Sequence, residues 1–68
     1  MTATEWVGAF CEQLGLEPPD EATTAQILRL ASVAAHASER TAAPVACYLA
    51  GIAGKTLAEA ERAAASIE

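Results

Sequence analysis

Between Thr41 and Gly54 the chain carries no charged side chain. That run, TAAPVACYLAGIAG, constrains the fold more than any other stretch. Pro44 suits the first turn of a helix, where its missing N–H costs nothing, so the run reads as a helix from about Ala43 to Ala53. A helix that is apolar all round is usually covered on several sides. This one is too short to cross a bilayer, which takes about 20 apolar residues. The expectation is a helix near the centre of a bundle. Val45, Tyr48, Leu49 and Ile52 form its bulky face, with Tyr48 expected as a core aromatic whose polar end lies near the surface, while Ala46, Cys47, Ala50 and Gly51 are small enough to let a neighbouring helix come close.

Three more helices are punctuated by local signals. Thr2 and Glu5 have capping-box spacing, in which a hydroxyl and a carboxylate satisfy free backbone N–H groups. Gly15 fits the left-handed position that ends many helices. The first helix is therefore expected over about Ala3 to Leu14. Its apolar face, with Ala3, Trp6, Val7, Phe10 and Leu14, holds the largest apolar groups in the chain and is expected to anchor the core. Pro18 and Pro19 then enforce an extended connection.

The second helix is expected to begin between Asp20 and Thr24, either of which could cap it, and to last to about Ser38. Ile27, Leu28, Leu30, Ala31, Ala34 and Ala35 make its apolar arc. Arg29, Ser32 and His36 fall opposite, and Arg40 would continue that line if the helix reached it. A second capping box, Thr56 with Glu59, announces a last helix over about Leu57 to Ile67. Leu57, Ala60, Ala64 and Ile67 line one side of it. Sixty-eight residues hold one domain. The alanine bias favours helix, and strand-formers are scarce. The fold class is all-α, a compact bundle of four short helices spanning residues 1–68.

The segment GIAGKT, Gly51 to Thr56, resembles the end of a phosphate-binding loop. Such a loop needs G-x-x-x-x-G-K-[ST] between a strand and a helix. The first glycine would fall at position 49, which is Leu49, and a helix rather than a strand precedes it. Gly54 is better read as a helix terminator, Lys55 as a cation near the negative helix end, and Thr56 as the next cap.

Nine acidic residues oppose four basic ones, for a formal net charge of −5. Nucleic acid is not an expected partner, since phosphate neutralisation needs Lys and Arg. No membrane segment and no export signal is visible, so the expected location is cytoplasmic, with Cys11 and Cys47 reduced. Cys11, His36 and Cys47 lack the close-spaced pairs of a zinc site. A small metal- or thiol-dependent protein built on them is a third-ranked alternative. No cofactor is expected.

The polar line Arg29, Ser32, His36 and Arg40 is the most site-like feature. It could hold an acidic partner segment. The competing reading is a solvated face, with each arginine paired to Glu39 or to a glutamate of another helix. His36 could also favour the end of its own helix.

Residues 27–54, ILRLASVAAHASERTAAPVACYLAGIAG, resemble the core of a small actinobacterial helical domain family of unknown function. The resemblance lies in Ala34, Ala35 and His36, then in Arg40, Ala42, Ala43 and Pro44, then in Tyr48, Leu49, Gly51 and Gly54. Trp6 and Leu14-Gly15-Leu16 also match its pattern, whereas Thr41 stands where proline is usual. Domains of that family occur alone or attached to proteins resembling molybdenum-cofactor guanylyltransferases. The resemblance thus implies an accessory, non-catalytic role in molybdenum-cofactor maturation, with such a guanylyltransferase as protein partner. It supplies no catalytic residue. The second expectation, from the short chain and its uncharged helix, is a self-associating structural domain, a homo-oligomer.

Overall fold

The structure, a computed structural model, describes residues 1–67. Among them there are four helices and no strand: α1 (Ala3–Leu14), α2 (Glu21–Ala37), α3 (Ala42–Ile52) and α4 (Leu57–Ala65). The all-helical, four-helix expectation holds. The body measures 37 × 24 × 18 Å.

Helix ends form where the local chemistry places them. Thr2 Oγ1 accepts from the Glu5 N–H at 3.1 Å, and Glu5 Oε1 accepts from the Thr2 N–H at 2.8 Å. Thr56 and Glu59 repeat this reciprocal pair at the start of α4, at 3.1 and 3.0 Å. Asp20, rather than Thr24, caps α2, its Oδ1 taking the Thr23 N–H at 2.7 Å. Each backbone N–H favours the charged carboxylate. Thr2 holds Glu5, Thr23 holds Asp20 and Thr56 holds Glu59 below the ordinary carboxylate range. Gly15 and Gly54 both sit at φ +71°, the left-handed conformation that ends a helix at low cost only for glycine. The segment from Gly54 to Thr56 is therefore a stop, a link and a cap, and no phosphate cradle.

The packing differs from the expected one. The close helix–helix contacts are α2 with α3 and α2 with α4, so α2 and not α3 is the central helix. Leu30 on α2 is 2% exposed, the deepest apolar side chain described. Ile27, Ala31, Val33 and Ala34 flank it, half-buried. On α4, Leu57, Ala60 and Ala64 are half-buried, as the expected face requires. Ile67 lies beyond the helix end and is exposed. Arg29 Nε reaches Glu61 Oε1 at 3.3 Å, tying α2 to α4 at the surface.

The aromatic face of α1 is not the anchor of the core. Trp6 and Phe10 are 55% and 48% exposed and stack on each other with ring centroids 5.0 Å apart. The buried residue of α1 is Cys11, about a quarter-turn round from them. Cysteine packs as a small apolar group, so this helix presents a small residue inward and its large ones outward.

Candidate interaction surface

The same inversion governs α3. At 100° per residue, Ala43, Ala46, Cys47 and Ala50 share one side, and all four are half-buried. Cys47 comes within 3.9 Å of the Ile27 carbonyl oxygen, its Sγ donating to the α2 backbone. Small side chains on the α3 side permit that approach, because α3 brings nothing longer than a methyl or a thiol to meet Ile27 and Leu30 of α2. Val45, Tyr48, Leu49 and Ile52 lie on the other side and are exposed. The expected bulky face exists, but it points away from the chain's own core. Tyr48, expected as a core aromatic, is 68% exposed.

Two facing rows thus run along one short helix. Residues 43, 46, 47 and 50 form the inner row, and residues 45, 48, 49 and 52 the outer. Each has the i, i+3, i+4, i+7 spacing of a packing stripe. The inner row is used within the chain. Toward α4 lies an open groove of about 430 Å³, which Leu49 of the outer row and Ala46 and Ala50 of the inner row line together. Leu30 lies at its α2 wall, Ala46, Leu49 and Ala53 on the α3 side, and Ala60, Ala63 and Ala64 on the α4 side.

The total exposed area is large for the chain's mass. The chain exposes 5430 Å². A folded monomer of its 7.0 kDa mass exposes about 4,000 Å², so the surplus is about 1,400 Å². Trp6, Phe10, Val45, Tyr48, Leu49 and Ile52 are among the exposed large apolar side chains, and contiguous apolar patches mark interaction sites.

The polar line of α2 is only partly assembled. Arg29, Ser32 and His36 lie on the exposed side of the helix. Arg29 is engaged with Glu61, the pairing with a glutamate of another helix that the solvated-face reading anticipates. His36 Nδ1 lies 2.7 Å from the Ser32 carbonyl oxygen, a distance that assigns the proton to Nδ1 as donor. The Ser32 hydroxyl is 3.2 Å from the same nitrogen. The imidazole is thereby held against the preceding turn of its own helix. Arg40 does not extend the line as a helical residue, since α2 ends at Ala37 and Arg40 falls in the turn before α3.

Cys11 is buried and Cys47 half-buried, both as free thiols. Among the described residues no group of three or more His, Cys, Asp or Glu side chains converges as a metal-ligand set. No described helix is long and apolar enough to cross a membrane. Sequence periodicity identifies the apolar rows of α1 and α3. Ala46, Cys47 and Ala50, expected to admit a neighbouring helix, do so, whereas the aromatic face of α1 does not anchor the core as expected.

Well-capped helices, a single deep leucine and broad uncovered apolar faces define a small all-helical domain built around one central helix. More specifically, the chain belongs to the family described as Domain of unknown function (DUF6457), whose model matches residues 1–68. No curated protein and no solved structure matches it.

Proposed function

We propose that the chain is a non-catalytic interaction module that completes its surface against other polypeptides. The observation that carries this reading is the surplus of about 1,400 Å² of accessible surface over a self-sufficient monomer of its mass. Its chemistry agrees with that role. The open groove is lined mainly by alanine, with Lys55 and Glu59 as its charged residues, and Glu59 is already committed to capping α4.

The resemblance of residues 27–54 to domains attached to molybdenum-cofactor guanylyltransferase-like proteins supplies the partner: such a guanylyltransferase, in the cytoplasm. The exposed side of α2 at Arg29, Ser32 and His36, with Arg40 in the turn that follows, is the face for that docking. The small-residue side of α3 is unavailable to it, being packed against α2. The test is a titration of the nitrogen-15-labelled chain with the guanylyltransferase of the same cell. Selective shifts at the amides around Arg29, Ser32, His36 and Arg40 are expected. An unchanged spectrum at saturating partner would remove the guanylyltransferase from the proposal.

A further inference from the structure

We infer that the outer face of α3 is the seam of a homodimer, in which α3 lies antiparallel against α3 of a second copy about a two-fold axis. This rests on the interaction-module reading and names the partner of one of its faces.

The outer row is self-complementary. Val45, Tyr48, Leu49 and Ile52 follow the spacing three, one, three, which is unchanged when the helix is reversed. The residue types are also symmetric: a β-branched side chain at each end and two large ones in the middle. The midpoint falls between Tyr48 and Leu49. An antiparallel copy placed on that midpoint sets Val45 against Ile52 of the partner subunit and Tyr48 against Leu49 of the partner subunit. Such reciprocal pairing is what a two-fold interface requires, and i, i+3, i+4, i+7 is the spacing by which two helices pack side by side.

Charge selects the same occupant. The chain has a net charge of −5, yet α3 carries none of it. Two copies can therefore meet along α3 without placing carboxylates on each other. A different partner would be distinguished from competitors by complementary or repelling groups, and the outer row provides neither. Area agrees as well. A stable interface removes about 800 Å² from each partner, less than the surplus of about 1,400 Å² carried by the whole chain, which the outer face of α3 shares with the exposed face of α1.

The test is sedimentation equilibrium of the full chain over a wide concentration range, with circular dichroism on each variant. The native chain is expected at twice its 7.0 kDa mass. Tyr48→Lys places a cation on each side of the axis and is expected to give a folded monomer. Ile52→Ala keeps a strong helix former and is expected to weaken dimerisation about tenfold or more. It therefore decides the matter if Tyr48→Lys does not fold. Leu28→Lys, on an exposed site of α2, is expected to leave the dimer intact. A native chain that stays at the monomer mass at its highest soluble concentration overturns the inference, as does a dimer indifferent to Ile52→Ala. A monomer that still shifts at His36 and Arg40 on adding the guanylyltransferase would overturn the dimer while sparing the docking reading. A dimer that shows no such shift would sink that docking and keep the seam.

Discussion

Leu28 and Leu30 stand two residues apart on α2 and differ only in where they point. Leu30 is 2% exposed and Leu28 is 63% exposed. Fully burying a leucine side chain is worth about 1.5–3 kcal/mol, and truncating a buried one adds the cost of the cavity, for a total of about 2–5 kcal/mol. Leu30→Ala should therefore cost about 3 kcal/mol, because α3 and α4 both close over that position and alanines cannot swing in to fill it. A domain of this size has roughly 3–10 kcal/mol in all, so the loss is a large share of the total and should lower the urea midpoint steeply. Leu28→Ala should change stability by less than about 0.5 kcal/mol. Urea unfolding followed by far-ultraviolet circular dichroism measures both, at one fixed protein concentration so that association contributes equally. Equal midpoints for the two variants, or a loss below about 1 kcal/mol for Leu30→Ala, would refute the claim that this one side chain is the keystone.

The remaining predictions follow from the caps, the inner row of α3 and the carboxylates. Thr56→Ala removes the hydroxyl that holds the Glu59 N–H and should cost about 1 kcal/mol in the same urea assay, with α4 losing helicity first. Cys47→Leu thickens the row packed on Ile27 and should cost about 1–3 kcal/mol by forcing α3 off α2, whereas Cys47→Ala should be far milder. Glu5, Asp20 and Glu59 have native values lowered by their cap hydrogen bonds. Their contribution is thus fully present above the ordinary carboxylate range and fades as the pH falls through the lowered native values. Midpoints from melts at a series of pH values should stay level near neutrality and drop in acid. In a variant with Glu5, Asp20 and Glu59 all changed to Gln, the acid drop should be shallower.

The elements were readable from the chain, but the faces were not. Thr2 with Glu5, Thr56 with Glu59, Gly15 and Gly54 act over three or four residues, so their meaning survives without knowledge of the tertiary structure. Helix ranges came out within a residue or two for the same reason. Asp20 and Thr24 competed as caps, and the carboxylate won because it meets the Thr23 N–H. Orientation is another matter. Ranking Trp6, Phe10 and Tyr48 as core assumes that the largest apolar groups are buried against the same chain. Here Cys11 and the Ala43–Ala50 row go inward instead, since a close approach to α2 needs short side chains. Of the polar line, Arg29, Ser32 and His36 were legible as one side of a helix. The end of α2 near Ser38 was legible too, so Arg40, which joined the line only if the helix reached it, falls beyond that end.

The weak attachment of α1 has a kinetic consequence. Helices α2, α3 and α4 are neighbours in the chain, and α2 contacts each of the others directly. Such local topology folds quickly, because little loop entropy is lost before contacts form. No comparable packing joins α1 to another helix, and the link from Gly15 to Asp20 contains both Pro18 and Pro19. The chain should then assemble in two stages, a fast three-helix unit followed by the docking of α1. Trp6, the single tryptophan, lies on the late element and serves as its clock. In stopped-flow refolding its fluorescence should lag behind the recovery of helical signal. A single shared rate would mean instead that α1 condenses with the rest.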